Sequence, residues 1–240
     1  MTKVSVIVPL KNDRRIMDLI KALENQTMKD FELIIGDSSD QKMDIKSNLS
    51  VRHLYSPNTT IAERLNEMVK HSSSDLIAIT ESDCIPGPTW LEDLVSEYVD
   101  DNTIVLGAQV ELYVPDYFSY GNTLVPKGLF DIPHDSSLSL ADDTDWFFQL
   151  QEKGVKVKRI FKAVNYHYKN AVKRQLRLPK YSREWAYTYL KYGNTRRWIR
   201  STGFYALTAF FSLITAMLMV IFGIYYSVKF RLFKRKGKKL

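Results

Sequence analysis

Two acidic clusters in the sequence have residue types and spacings that could do chemistry. In the first, Glu81 and Asp83 flank Ser82 directly after the apolar run Leu76–Thr80. Carboxylates two residues apart at the end of a strand can bind a hard divalent cation such as Mg²⁺ or Mn²⁺, directly or through water. Such a cation could bridge two phosphates and neutralise the charge that builds on them as they leave. Acidic pairs after strands are also often solvated loop residues, so the pair alone does not decide between these interpretations.

The second cluster stands at the start of a predicted helix over Asp142–Glu152 and contains Asp142, Asp143 and Asp145. Carboxylates at a helix N-terminus are favoured as caps and by the helix dipole, which is the alternative explanation. Three carboxylates in four positions exceed what one cap needs. Their crowding should raise the pKa of at least one of them, which suits it to general-base work. His167 stands alone in a strand-like run, where a histidine is more often structural than a ligand.

The elements that must position these residues alternate along the chain. Apolar runs typical of buried strands alternate with segments whose apolar residues recur at helical spacing, which predicts an α/β fold with a mostly parallel central sheet. Residues 111–140 carry three prolines and two glycines and are predicted to be irregular. The predicted strands are Val4–Val8, Phe31–Ile35, Val51–Tyr55, Leu76–Thr80, Ile104–Ala108 and Val155–Ile160.

Ligands of such sheets gather beyond the carboxyl ends of the strands, and the residues that follow the predicted strands are rich in carboxylates. No Gly-x-Gly-x-x-Gly follows the first strand and no Gly-x-x-x-x-Gly-Lys-Ser/Thr occurs, so dinucleotide-binding and P-loop folds lose their main support. A nucleotidyltransferase would need a basic, glycine-rich loop after the first strand. The segment Pro9–Arg15 contains no glycine.

Charge is divided sharply along the chain. Residues 1–150 carry 12 Lys and Arg against 25 Asp and Glu, whereas residues 151–240 carry 22 against 2. Basic segments bind nucleic acid or anionic lipid. The 25 uncharged residues Phe204–Val228 exceed the roughly 20 that cross a bilayer, so membrane lipids are the predicted partner and nucleic acid is not.

These patterns predict four segments: a catalytic domain over residues 1–170, a basic and aromatic interfacial helix over 171–203, a transmembrane helix over 204–228 and a basic tail over 229–240. The N-terminal apolar run is too short for a signal peptide. We therefore expect a single-pass protein of the cell membrane with a cytoplasmic catalytic domain. The membrane helix could also join copies into a homo-oligomer. The basic tail favours the cytoplasm as well, and one straight crossing cannot satisfy both preferences.

Four blocks of sequence, in order, resemble the family 2 glycosyltransferases of the GT-A fold across about residues 3–170. VSVIVPLKND resembles the opening strand and its turn, with matches at Pro9, Asn12 and Asp13, and Lys11 where an aromatic is usual. FELIIGDSSD resembles the second strand, which places Asp37 at the nucleotide base or ribose.

The third block, IAERLNEMVKHSSSDLIAITESDC, resembles the helix that leads into the family's Asp-x-Asp metal motif. Asn66 and Asp83 match, Glu81 replaces the first Asp, and Met68 and Ser74 replace glycines. The fourth block, GLFDIPHDSSLSLADDTDWFFQLQEKG, resembles the acceptor-side segment. Asp143 takes the position of the catalytic base there, with Asp142 in place of the usual Glu, and Asp142 and Asp145 remain alternatives for that role.

The resemblance implies an inverting hexosyltransferase-like enzyme that moves a sugar from a nucleotide-diphospho-sugar to a lipid-linked or saccharide acceptor. Its cofactor would be a divalent cation, Mg²⁺ or Mn²⁺, held by Asp83, Glu81 and His167, since many members have a second metal ligand at the position of His167. The residues implied to contact the nucleotide-sugar are Pro9, Asn12, Asp13, Asp37, Asn66 and Ser82.

A second hypothesis belongs to a different class of protein. The departures from the family pattern at Lys11, Glu81 and Met68 are compatible with a membrane-bound scaffold that binds a nucleotide-sugar at a degenerate site. Turnover of the donor separates the two, because a scaffold would bind it without cleaving it.

Overall fold

The structure is a computed structural model, which divides into two compact units, Met1–Thr188 and Tyr189–Leu240. The predicted interfacial segment is described only in part, and the predicted transmembrane segment and basic tail lie almost wholly outside the described residues. Across the part of the chain that is described, no helix has both the length and the apolar character that crossing a bilayer requires. The described residues are 4–110, 120–132, 134–135, 137–138, 141–168, 178–193, 217–218, 220–222 and 224–225.

An eight-stranded mixed sheet forms the centre of the first unit, in the order β3-β2-β1-β4-β7-β6-β8-β5. Four pairings are parallel (β1–β2, β2–β3, β1–β4 and β6–β8) and three are antiparallel (β4–β7, β6–β7 and β5–β8). The strands are β1 Val4–Leu10, β2 Phe31–Asp37, β3 Val51–Tyr55, β4 Leu76–Ile79, β5 Cys84–Pro86, β6 Thr103–Val110, β7 Thr123–Pro126 and β8 Lys156–His167.

The α/β class and the parallel half β3-β2-β1-β4 agree with the sequence analysis. Six of the eight strands run in one direction, as a mostly parallel sheet requires, whereas β5 and β7 run against them and β7 inserts between β4 and β6. The prediction that residues 123–126 are irregular was wrong, because they form β7. The strand has only four residues and ends in Pro126, so it carries none of the alternation by which a strand is recognised.

Helices cover the sheet where the periodicity places them. In α1, Ile16, Leu19, Ile20 and Leu23 are buried, as expected of one apolar stripe. The start of α2 is fixed by a capping box in which Thr60 and Glu63 exchange side-chain and backbone hydrogen bonds. The helices are α1 Ile16–Glu24, α2 Ile61–His71, α3 Trp90–Ser96, α4 Asp142–Glu152 and α5 Leu178–Lys191.

Pro9 lies inside the central strand β1, where proline is unusual because it lacks a ladder donor. The carbonyl of Ile7 accepts from Thr80 on the β4 side, and the carbonyl of Leu10 accepts from Ser38 on the β2 side. Alternation along the strand therefore turns Pro9 toward β4, whose pairing with β1 ends at Ile7. Its missing N–H costs no hydrogen bond, and β1 continues two residues beyond the predicted end.

Candidate active site

Four side chains that can bind a metal converge beside the carboxyl end of β4. The ligand atoms of Glu81, Asp83, Cys84 and His167 all lie within 4.8 Å of one another. His167 Nε2 is 3.2 Å from Asp83 Oδ1 and 3.5 Å from Glu81 Oε2. The structure thus brings together the three residues predicted to hold a cation and adds Cys84, which the sequence analysis had not considered as a ligand. Oxygen and nitrogen donors at this spacing fit a divalent cation.

Strand pairing explains how residues more than eighty positions apart meet here. The short strand β5 runs antiparallel to β8, with Cys84 directly opposite His167. The N–H of Tyr168 donates to the carbonyl of Asp83 at 2.9 Å, which continues the ladder by one residue. His167 is therefore positioned by the backbone of the very segment that carries the acidic residues.

A second layer of residues holds the histidine in place. The side-chain amide of Gln109 contacts His167 Nδ1, which leaves Nε2 directed at the carboxylates. Gly121 packs against the same amide, and a Cβ there would lie 2.6 Å from Gln109 Nε2 and 3.2 Å from Glu81 Oε2. A side chain at position 121 would therefore displace both the carboxylate and the support of the histidine.

Arg15 links the turn after β1 to the cation cluster. Its guanidinium lies 2.6 Å from Asp13 Oδ2 and 3.4 Å from Asp83 Oδ2, and it also contacts the carbonyl of Tyr168. Its hydrogen bond to Asp13, opposed by burial and helped by the charge of Asp83, raises the pKa of Arg15. Asp13, predicted to contact the nucleotide-sugar, holds the guanidinium of Arg15 toward the metal ligand Asp83.

Asp37, at the end of β2, is fully buried and accepts three hydrogen bonds. Burial opposes its ionisation, but hydrogen bonds from Ser39, Met43 and His53 outweigh burial and lower the pKa of Asp37. His53 Nε2 lies 3.0 Å from Asp37 Oδ2. Asp37 is therefore a fixed anionic acceptor at the edge of the sheet where a ligand is expected.

The remaining residues predicted to touch the donor are Asn12, Asn66 and Ser82. Asn12 has a positive φ of 51°, and its side chain pairs with both the carboxylate and the N–H of Asp40. This closes the loop after β1 onto the loop after β2. Asn66 is half-buried on α2, and Ser82 is buried between the two acidic ligands. Their contacts with a donor remain predictions.

The three acids of α4 have different surroundings. Asp142 is buried, and its Oδ2 has no hydrogen-bond partner among the residues that the structure describes. Burial first and the charge of Asp143 second raise the pKa of Asp142 well above the ordinary value. Asp143 is half-buried and accepts from the N–H and hydroxyl of Thr144 at 2.6 and 3.1 Å. Asp145 is fully buried and accepts from Gln149 at 2.9 Å. The predicted rise in pKa thus falls on Asp142, and burial contributes more to it than crowding.

Arg64 is a site residue that the sequence analysis missed. It lies on α2, is 7% exposed, and contacts the hydroxyl of Ser38 next to Asp37. Burial lowers the pKa of Arg64, while the charges of Asp142 and Asp37 oppose that change. The guanidinium is therefore near both Asp37 at the end of β2 and Asp142 at the start of α4. The sequence could have indicated Arg64, because this charged residue interrupts the apolar stripe formed by Ile61, Leu65 and Met68.

Glu184 on α5 is the second residue that was missed. It is buried, and its Oε2 accepts from the N–H of Ala141 at 3.2 Å, at the residue that precedes α4. The charge of Glu184 also raises the pKa of Asp142. The sequence could have indicated Glu184, because it is one of only two acidic residues, with Glu152, in the strongly basic region 151–240.

Replacing Glu184 with glutamine should lower the pKa of Asp142, because it removes a nearby charge and keeps an oxygen for the N–H of Ala141. A raised carboxyl pKa makes stability fall as pH rises from the unfolded pKa through the folded one. The variant should lose less stability over that interval, by about 1.4 kcal/mol for each unit that the pKa of Asp142 falls. Urea unfolding of wild type and Glu184→Gln from acid to neutral pH measures the difference. If the free energy of unfolding had the same pH dependence in wild type and variant, the prediction would be contradicted. Glu152→Gln is the matched control, because Glu152 is exposed at the other end of α4.

The sequence model of the glycosyl transferase family 2 domain matches residues 5–176, which is more than half of the chain and includes every residue predicted for the site. The chain belongs to glycosyl transferase family 2. The predicted family is confirmed. No curated protein sequence matches the chain at a significant level.

Solved structures share the fold of this family 2 chain. S. aureus TarS 1–349 in complex with UDP-GlcNAc is 20% identical, with a TM-score of 0.57 over 70% of this chain and 59% of that one. The mannosyltransferase PcManGT from Pyrobaculum calidifontis, in complex with GDP-Man and Mn²⁺, is 15% identical, with a TM-score of 0.57 over 69% and 56%. The chain spans 37% of the longer TarS structure. At these identities the likeness establishes a GT-A-like fold.

Proposed function

We propose that the chain transfers a sugar from a nucleotide-diphospho-sugar to an acceptor, with inversion at the anomeric carbon and with a divalent cation as cofactor. One observation carries this proposal. The ligand atoms of Glu81, Asp83 and His167 converge within 4.8 Å of one another beside the carboxyl end of β4, and the charge of Glu81 also contributes to the raised pKa of Asp142 on α4. Family 2 membership and the neighbours that bind nucleotide-sugars support this choice of substrate.

The cluster of Glu81, Asp83 and His167 would hold the cation, which supplies positive charge to the departing diphosphate. Arg15, paired with Asp83, adds a fixed positive charge on the same side. Asp37 would bind the nucleotide base or ribose as a hydrogen-bond acceptor, since its carboxylate stays ionised. These residues bind and orient the donor and leave its anomeric carbon to face α4.

Asp143 would act as the general base. The acceptor hydroxyl gives its proton to the Asp143 carboxylate and attacks the anomeric carbon, and the bond from that carbon to the diphosphate oxygen breaks with its electron pair. Asp142 is the weaker candidate because its raised pKa favours the protonated carboxyl, which cannot accept a proton. Were the acceptor a polyprenyl phosphate, it would already be ionised and the base would matter less.

Hydrolysis or transfer of the donor by purified protein tests the proposal. A panel of nucleotide-sugars with Mn²⁺ or Mg²⁺ should contain one that raises the thermal midpoint by mass action and is then slowly cleaved. Binding without cleavage in the presence of candidate acceptors would favour the scaffold hypothesis instead. If no nucleotide-sugar raised the thermal midpoint, both the transferase and the scaffold hypotheses would be contradicted.

The acceptor is proposed to be at the membrane, as a lipid-linked glycan or polyprenyl phosphate, with residues 1–170 catalytic and cytoplasmic and residues 204–228 in the bilayer. The sequence supports this with 25 uncharged residues followed by seven basic ones. The described positions of that segment are apolar and exposed, from Leu218 at 46% to Val220 and Ile224 at 62%.

Thiol labelling in intact cells tests the crossing. A cysteine placed at Gly237, in a chain that also carries Cys84→Ser, should react with a membrane-impermeant thiol reagent if the helix crosses. Labelling only after lysis would contradict a crossing.

A further inference from the structure

Cys84 lies among the cation ligands and has no role in the proposed function. It is the only cysteine of the chain and is fully buried. In the antiparallel pair β5–β8 it is directly opposite His167, and side chains directly opposite each other lie on the same face of the sheet. The thiol and the imidazole are therefore neighbours by strand register.

The distances suit four ligands around one ion. Bonds of about 2.0–2.3 Å from a tetrahedral ion to its ligands place those ligands about 3.3–3.8 Å apart. His167 Nε2 is already 3.2 Å from Asp83 Oδ1 and 3.5 Å from Glu81 Oε2, and the set with Cys84 Sγ lies within 4.8 Å. Closing the widest pair by about 1.0–1.5 Å would complete the tetrahedron.

The mixture of donors determines which ion fits. Mg²⁺ demands octahedral oxygen ligands, and a buried sulfur offers it nothing. One thiolate, one imidazole and two carboxylates form a set that borderline ions such as Zn²⁺ and Co²⁺ bind well. Gln109 behind His167 gives the imidazole the outer support that metal-binding histidines commonly have.

We propose that Cys84 is a fourth protein ligand at this site, which makes the site selective for borderline-soft divalent cations over Mg²⁺. The ion binds the sulfur as thiolate, and the thiol proton passes to solvent. An inert core cysteine, packed as a small apolar side chain, is the opposing interpretation. The inference shares the cation site with the proposed function but does not depend on sugar transfer.

Cobalt spectroscopy of the untagged full chain tests the proposal. Titration with Co²⁺ should produce a sulfur-to-cobalt charge-transfer band in the near ultraviolet that saturates at one ion per chain. Zn²⁺ should abolish the band, and a large excess of Mg²⁺ should leave it. Because Cys84 is the only cysteine, any such band comes from this thiol.

Cys84→Ser is the decisive variant, with circular dichroism to confirm its fold and Cys84→Ala as a second version. It should lose the charge-transfer band and bind Zn²⁺ more than about tenfold more weakly, which is the loss that even outer-shell changes cause. Co²⁺ binding to wild type without the band, or equal Zn²⁺ affinity in wild type and variant, would overturn the proposal. Donor binding with Mn²⁺ is measured in parallel, so failure of the cysteine ligand and failure of the proposed function give different results.

Discussion

Replacing Asp83 with asparagine should remove most metal-dependent donor binding and leave the fold intact. Asp83 contributes a ligand oxygen to the cation cluster and lies 3.2 Å from His167. The amide keeps the shape of the side chain but removes the negative charge that a hard divalent cation requires. Asp83 lies on the loop between β4 and β5 and joins the sheet only through its backbone carbonyl, so the core should not change. Loss of one inner ligand should weaken binding by at least the 10–100-fold known for outer-shell changes.

Calorimetry of donor binding with and without Mn²⁺ measures this effect. Asp30→Asn is the matched control, because Asp30 is exposed and lies just before β2, at the end of the strand opposite Asp37. Unchanged donor affinity with Mn²⁺ in Asp83→Asn would show that this residue is not a cation ligand. Unchanged thermal stability of the free variant separates a lost ligand from a damaged fold.

Replacing Asp143 with asparagine should lower turnover by about 10²–10⁴-fold while sparing donor binding, because a general base acts on the acceptor. An asparagine oxygen can still accept from the N–H and hydroxyl of Thr144, so the start of α4 should persist. The Michaelis constant for the donor should change little. Steady-state kinetics with a saccharide or lipid acceptor measures both quantities.

Asp131→Asn, an exposed aspartate in the segment before α4, is the control for Asp143→Asn. Full activity of the Asp143 variant would mean either that Asp142 or Asp145 serves as base or that the acceptor needs none. Asn variants of Asp142 and Asp145 distinguish these outcomes, because turnover falls in the variant of the true base and stays in all of them if the acceptor needs no base.

Periodic segments of the fold were predictable from the sequence, and short ones were not. The helix Asp142–Glu152 and the strand Val51–Tyr55 have the predicted bounds, and the apolar stripe of α1 is buried at Ile16, Leu19, Ile20 and Leu23. The strands β5 and β7 have three and four residues, too few for a period to show. Those two strands account for all three antiparallel pairings of the sheet, and β5 brings His167 to the acidic pair.

The candidate site divides in the same way. Residues directly after strands, such as Asp37 and Asp83, were predictable because parallel strands bring their carboxyl ends to one edge. Arg64 and Glu184 are carried by helices, and only the tertiary packing decides which helical residue faces inward. Cys84 was passed over because a lone cysteine does not indicate a ligand until its partner on the neighbouring strand is known.

Arg15 gives the cation site a resident counter-charge. Without it, two carboxylates held close together would repel each other, so the guanidinium 3.4 Å from Asp83 lets the ligand set stay assembled before any ion arrives. An entering hard ion such as Mn²⁺ must compete with that guanidinium for Asp83, which weakens binding of Mn²⁺ in the absence of a donor. A nucleoside diphosphate adds the negative charge that shifts this competition. We therefore expect ion and donor to enter as a pair, and Mn²⁺ affinities that are equal with and without a nucleoside diphosphate would contradict it.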